Sequence, residues 1–208
     1  MSLVEFSLYL VTDRHRTDGR PLRDVVHAAL RAGVRAVQLR EKDLPTRALL
    51  ALARDLVKLA RPYGAQVFIN DRVDICLASG SAGVHLPAAG LPVPVVRRLL
   101  GPDRVIGRSA HSADDAIRAE TEGADFVVLG PIFDTPSKRA FGAPIGLHEL
   151  EHTRMRCRTP IFGIGGITSD CVRDVMQAGA QGVAVVGSVM AAADVERATR
   201  DLLDALED

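Results

Sequence analysis

Short apolar runs alternate with amphipathic stripes along the whole chain. Leu8-Tyr9-Leu10-Val11 is a first apolar run, and Leu22, Val25, Val26, Ala29 and Leu30 then fall at the spacing of one helical face. A second strand is expected over about Ala36 to Arg40, with Leu49, Leu52, Ala53, Leu56 and Ala60 marking its helix. Val67-Phe68-Ile69 makes the third, followed by a helix over roughly Arg72 to Ala78. Gly83-Val84-His85-Leu86 makes the fourth, with a short helix around Val95 to Leu100. The fifth strand is Val105-Ile106-Gly107, and its helix runs from Ser112, a good N-cap, to Glu122.

Phe126-Val127-Val128-Leu129 forms the sixth run, and a long irregular stretch from Gly130 to Gly146 separates it from a helix near Leu147 to Arg154. Pro160 to Ile164 is the seventh strand, with Val172, Val175, Met176 and Gly179 lining its helix. Gly182 to Val186 is the eighth, and Val195, Ala198, Leu202 and Leu206 share a face of the last helix. Strands that are apolar throughout belong to a parallel sheet covered by helices. Eight strand–helix units of about 26 residues each predict a single (β/α)8 TIM barrel over residues 1–208. An open doubly wound sheet is the alternative, but it has no reason for so even a count.

Composition narrows the function classes. A formal net charge of zero argues against a general nucleic-acid or membrane-surface binder. The three cysteines, Cys76, Cys157 and Cys171, lack metal-ligand spacing and suit a reduced, cytoplasmic protein. No stretch approaches membrane-spanning length, and the N-terminus lacks a signal-peptide pattern.

A barrel places its active site at the C-terminal strand ends and the loops that follow. Gln38 and Arg40 share one face of the second strand, and Lys42 continues the spacing, so three long polar side chains converge on one side. Asn70-Asp71 ends the third strand, where a carboxylate beside an amide suits Mg²⁺ or caps the next helix. His111, just past the fifth strand, is the best general acid–base, whereas His85 reads as a packed strand residue. Thr135, Ser137 and Lys138 bring hydroxyls and a compact charge to the long sixth loop, suited to a diphosphate. Gly165-Gly166 and Gly187-Ser188 form a phosphate cup at the seventh and eighth strands, or else only tight turns.

Together these motifs resemble the thiamin phosphate synthase and TenI family over almost the whole chain. The resemblance rests on Tyr9-Leu10-Val11-Thr12-Asp13, Val37-Gln38-Leu39-Arg40-Glu41-Lys42, Ile69-Asn70-Asp71-Arg72-Val73-Asp74, Gly83-Val84-His85-Leu86, Ser109-Ala110-His111, the segments Gly130-Pro131-Ile132-Phe133 and Thr135-Pro136-Ser137-Lys138, and Gly163-Ile164-Gly165-Gly166-Ile167. It implies a synthase that joins a hydroxymethylpyrimidine diphosphate to a thiazole phosphate. Gln38, Arg40, Lys42 and Asn70 would hold the pyrimidine diphosphate, Asp71 would bind Mg²⁺, and Ser109 would sit near the reacting pyrimidine. Thr135, Ser137 and Lys138 would contact phosphoryl oxygens, with Gly165, Gly166, Gly187 and Ser188 around the thiazole phosphate; Ser109, His111 and Lys138 are the catalytic candidates.

The chain departs from the synthase pattern at one place. The synthases follow Gly-Val-His-Leu with Gly-Gln and then, two residues on, an Asp that is the second Mg²⁺ ligand; here the segment is Pro87-Ala88-Ala89-Gly90-Leu91-Pro92. That absence, with Arg108, is similar to the TenI branch, whose thiazole tautomerases need no metal and use a histidine matching His111. The expected function is therefore the synthase, with the tautomerase as alternative and a non-catalytic ligand-binding regulator as a third reading. The expected partners are the two small phosphorylated substrates, with no nucleic acid and no membrane, and a homodimer is left open.

Overall fold

The computed structural model describes residues 4–135 and 143–207. Eight parallel strands close into a barrel in sequence order: β1 (Leu8–Val11), β2 (Ala36–Leu39), β3 (Gln66–Asn70), β4 (Gly83–Leu86), β5 (Val105–Ala110), β6 (Phe126–Leu129), β7 (Ile161–Ile164) and β8 (Gly182–Val185). Closure pairs β1 with both β2 and β8, so no strand is left as an edge. The helices are α1 (Leu22–Ala32), α2 (Thr46–Ala60), α3 (Val73–Ser79), α4 (Val93–Leu100), α5 (Ala113–Thr121), α6 (Gly146–Arg156), α7 (Ser169–Gln177), the short α8 (Gly187–Met190) and α9 (Val195–Glu207).

The expected helical stripes face the strands. Leu22, Val25, Val26, Ala29 and Leu30 are the buried residues of α1, and Leu49, Ala53, Leu56 and Ala60 those of α2. Ser112 caps α5, its hydroxyl accepting from the Asp115 N–H at 3.2 Å. The last helix centres its buried face on Val195, Thr199 and Leu202, so Thr199 takes a place beside Ala198 in the predicted stripe. Gly179 lies beyond α7 rather than within its face, because the helix ends at Gln177 and the chain turns there with φ +96°.

Two separate cores result from strand alternation. Outward residues such as Leu10, Val37, Ile69, Val84 and Ile106 pack beneath the helices. Inward residues fill the lumen: Tyr9, Phe68, Phe126 and Phe162 meet Phe6, which closes the N-terminal end below β1. Phe6 and Phe162 lie 5.1 Å apart between ring centroids, and Tyr9 meets Phe126 edge-on at 5.3 Å. Four of the six phenylalanines of the sequence are gathered in this lumen, so the scarce aromatic residues build its floor. Aromatic pairs of this kind add about 0.5–1.5 kcal/mol each beyond the area they bury. Above the floor the lumen turns polar, and there the functional residues begin.

Candidate active site

The inward register places the polar residues in tiers. Gln38 pairs with Phe68 across β2 and β3, and Asn70 pairs with His85 across β3 and β4. Gln38 is buried, its side-chain amide donating to the Tyr9 hydroxyl at 3.3 Å. Burial pushes the Tyr9 phenol well above the ordinary tyrosine range, with the Gln38 contact opposing more weakly, so Tyr9 stays a neutral hydrogen-bonding floor.

β5 is longer than its apolar run. It continues to Ala110, which puts Arg108 and Ser109 inside the strand and leaves His111 just beyond it. Ser109 Oγ is hydrogen-bonded to His85 Nε2 at 2.9 Å. His85 is fully enclosed, and its pKa falls to about 3, first through burial and then through the positive charges of Arg108 and Arg40. The imidazole is therefore neutral. His85 orients Ser109, a role beyond packing that the apolar run around it did not disclose.

Arg40 and Lys42 make no side-chain hydrogen bond or ion pair among the described residues, and Lys42 is exposed. Their segment is anchored from below. The Arg40 N–H donates to Thr12 Oγ1 at 3.0 Å, and that hydroxyl donates onward to Glu41 Oε1 at 2.7 Å. The buried Glu41 carboxylate also accepts from the Arg14 N–H at 3.2 Å and from Arg14 Nη1 at 3.1 Å. Arg14 grips Asp43 through both terminal nitrogens, and this pairing is the chief cause holding the Asp43 carboxyl far below its ordinary value. The first two loops are thus stapled together, with the Arg40 and Lys42 charges left without a partner among the described residues.

Asp71 is exposed and held at φ +63°, a left-handed conformation uncommon outside glycine and asparagine. Its N–H donates to His85 O at 2.9 Å. Arg72 turns away to Asp74 and Thr46, so the Asp71 carboxylate has no hydrogen-bond partner among the described residues. Opposite it stands Gly90: a Cβ there would lie 3.1 Å from Asp71 Oδ1. Gly90 occupies the position two residues beyond the expected Gly-Gln pair, so the fold brings the missing carboxylate's place directly against Asp71. Among the described residues no group of three or more His, Cys, Asp or Glu gathers as a metal site. One open carboxylate fits a hard cation that arrives with diphosphate, which supplies the other oxygens, and does not fit a cation held by protein alone.

Arg108 is not aimed at the lumen. Its guanidinium donates to the Leu91 and Ala88 carbonyls at 2.7 and 2.9 Å, bracing the loop that carries Gly90. His111 Nδ1 lies 2.6 Å from Gly130 O. A carbonyl only accepts, so Nδ1 carries the proton and Nε2 is the free basic nitrogen.

On the far rim, Gly165 and Gly166 have φ +104° and +67° and press against the loop after β6. A Cβ at Gly165 would meet Pro131 at 2.7 Å, and one at Gly166 the Asp134 carbonyl oxygen at 2.7 Å. These glycines therefore satisfy both a backbone and a packing demand. Gly187 and Ser188 open α8, and the Ser188 hydroxyl donates to the Ile167 carbonyl, fastening the β7 loop to α8. Thr135 ends the described part of the β6 loop; Ser137 and Lys138 lie outside the described residues.

The fold thus gathers Gln38, Arg40, Asn70, Ser109 and Asp71 around one mouth, with the β7 and β8 loops across from them. Comparison with known proteins finds relatives over almost the whole chain. A family model described as thiamine monophosphate synthase matches residues 8–189. A Geobacter sulfurreducens relative is 49% identical over 203 residues, covering 98% of this chain and 95% of its own. The thiamine-phosphate synthase of Moorella thermoacetica is 46% identical over 198 residues, covering 95% of this chain and 94% of its own. The solved structure of a thiamine phosphate pyrophosphorylase from Pyrococcus furiosus superposes with a TM-score of 0.89 at 36% identity, covering 97% of this chain and 95% of that one. The chain belongs to the thiamine monophosphate synthase and TenI family.

Proposed function

We propose that this protein is a thiamin phosphate synthase, joining hydroxymethylpyrimidine diphosphate to thiazole phosphate with release of diphosphate. The observation that carries this reading is the pair of cations Arg40 and Lys42 just past β2 and the carboxylate of Asp71 just past the neighbouring β3, none with a side-chain hydrogen-bond partner among the described residues. An isomerase acting on a carboxylate needs no carboxylate of the protein's own next to such cations. Mg²⁺ bound with the diphosphate would be held by Asp71, and it would supply charge neutralisation of the leaving group.

The chain's own residues account for the remaining work. Arg40 and Lys42 oppose the negative charge that grows on diphosphate as the pyrimidine–oxygen bond breaks. The departing group leaves a pyrimidine methyl cation, which the thiazole nitrogen captures. No protein nucleophile is required. Asn70 and the Ser109 hydroxyl, fixed by His85, present neutral polar groups to the pyrimidine. The buried Tyr9 and Gln38 close the space beneath it against water. Ser137 and Lys138, with Thr135, are proposed contacts to phosphoryl oxygens.

Purified protein with both substrates and Mg²⁺ is expected to make thiamin phosphate. Asp71→Asn is expected to lose roughly a hundredfold in rate, the effect of withdrawing a few kcal/mol of charge stabilisation. An unchanged rate in that variant would remove Asp71 from the site. One observation favours the tautomerase reading: the free Nε2 of His111 is a ready base. Conversion of the thiazole carboxylate tautomer that disappears in His111→Ala and ignores a chelator would select that reading instead.

A further inference from the structure

The loop after β1 carries a cation with no role so far. Residues Arg14–Arg16 form a 3-10 turn, and the loop is tied down on both flanks. Toward β2, Arg14 grips Glu41 and Asp43. Toward β8, Arg20 donates to the Met190 carbonyl at the end of α8, at 3.1 Å, and to the Thr17 carbonyl at 2.7 Å. Between these ties, Arg16 lies against Gly187. A Cβ on Gly187 would stand 3.0, 3.1 and 3.2 Å from Arg16 Nη2, Cζ and Nη1. Three near-equal distances mean that the guanidinium packs closer to face-on than edge-on, leaving its N–H edges directed elsewhere. Unlike Arg14 and Arg20, Arg16 has no side-chain acceptor among the described residues, and it is exposed.

We propose that Arg16 is a specificity-determining ligand for the phosphate monoester of the second substrate, completing the anion site of the β7 and β8 loops from the β1 side. This inference rests on the synthase reading for the substrate's identity. Barrel order carries the argument. β1 lies between β2 and β8, so its loop can serve either neighbour. Arg14 leans to β2 and is neutralised there, whereas Arg16 leans to β8 and is not. The diphosphate side already has Arg40 and Lys42, while residues 165–168 and 186–194, the segments after β7 and β8, include no basic residue. The Ser188 hydroxyl is directed to Ile167 O, which leaves backbone N–H groups and Arg16 as its donors. A planar guanidinium presents two parallel N–H donors to phosphoryl oxygens, a match that a monoester dianion exploits fully. Gly187 gives the room: any side chain at that position would press on the guanidinium.

The test measures Michaelis constants for both substrates in wild type, Arg16→Met, Arg16→Lys and Gly187→Ala, with calorimetric binding of thiazole phosphate in parallel. Arg16→Met is expected to raise the KM for thiazole phosphate at least about tenfold with kcat at saturation nearly unchanged, the pattern of lost uniform binding. The KM for the pyrimidine diphosphate stays within twofold, and Arg16→Lys recovers part of the loss. Gly187→Ala, which meets no positive φ, shifts KM in the same direction by displacing the guanidinium. The unphosphorylated thiazole alcohol distinguishes wild type from Arg16→Met by less than about twofold, since Arg16 acts only through the phosphate. Equal losses for alcohol and phosphate, equal losses for both substrates, or no change in KM would each overturn the proposal. Should wild type make no thiamin phosphate, the synthase reading falls. Calorimetry still decides Arg16: weaker thiazole phosphate binding in Arg16→Met supports it, and equal binding refutes it.

Discussion

Replacing Glu41 with Gln tests whether the staple between the first two loops holds the cationic strand end in place. The change keeps shape and volume while exchanging one carboxylate oxygen for an amide group. Glu41 is 4% exposed and accepts from Thr12 Oγ1 at 2.7 Å, from the Arg14 N–H at 3.2 Å and from Arg14 Nη1 at 3.1 Å. Glutamine can keep the threonine bond through its carbonyl. The Arg14 N–H is shared between both carboxylate oxygens at 3.2 Å and stays on the carbonyl one, whereas the amide nitrogen faces Arg14 Nη1, so that charge-assisted bond is lost. With a hydrogen bond to a charged group worth about 1.5–3 kcal/mol, the loss is about 2 kcal/mol. For a chain of this length that corresponds to a fall in Tm of roughly 4–8 °C. Scanning calorimetry of wild type and Glu41→Gln at neutral pH reads the difference. Because Thr12 also accepts from the Arg40 N–H, the KM for pyrimidine diphosphate should rise together with the loss of stability. A fall in Tm below about 2 °C would refute the reasoning, since it would show the carboxylate to be replaceable by a neutral amide.

Two further outcomes follow from the same geometry. His85 is held neutral in the folded protein until about pH 3, whereas the unfolded chain protonates it near its ordinary value of 6.5. Folding therefore loses about 1.4 kcal/mol per unit as pH falls through that window and nothing above it; between pH 7.5 and 5, wild type should lose about 2 kcal/mol more than His85→Gln in urea titrations, and parallel curves would contradict the burial of a neutral imidazole. Arg108→Met removes both bonds to the Ala88 and Leu91 carbonyls, so amide exchange across residues 88–91 should quicken at least about tenfold while β5 itself stays protected. Exchange unchanged in that segment would show that the turn closed by the Gly90 N–H on Pro87 O stands without the arginine.

The barrel was legible because each strand is a short apolar run and each helix a separate stripe; β4 and β6 begin and end where the sequence pattern places them. β5 was read short because Arg108 and Ser109 interrupt its apolar run. Both find partners that only the closed barrel provides, His85 for Ser109 and two loop carbonyls for Arg108, so the strand continues to Ala110. The convergence of Gln38, Arg40 and Lys42 followed from strand alternation, and the register bears out the inward direction of Gln38 and Asn70. Ser188 was expected at the phosphate, whereas its hydroxyl is engaged by Ile167 O, a contact between loops that no local pattern predicts.

Other features depend on distance across the fold. Gly90 gains its meaning only when the β3 and β4 loops meet and bring it against Asp71. Arg16 stands in a 3-10 turn with neither helical nor strand periodicity, and its neighbour Gly187 is 171 positions away. The clue in the sequence was the cluster of basic residues just past β1, of which Arg14 and His15 are paired with Asp43, and Arg14 also with Glu41, whereas Arg16 has no side-chain partner among the described residues.

The most direct measurement of the central claim is the simultaneous appearance of the two products. Wild-type protein given pyrimidine diphosphate, thiazole phosphate and Mg²⁺ should release diphosphate and thiamin phosphate in equal amounts, with neither forming when thiazole phosphate is withheld. Diphosphate released at the same rate without the thiazole, or conversion of the thiazole carboxylate tautomer with no thiamin phosphate formed, would contradict it.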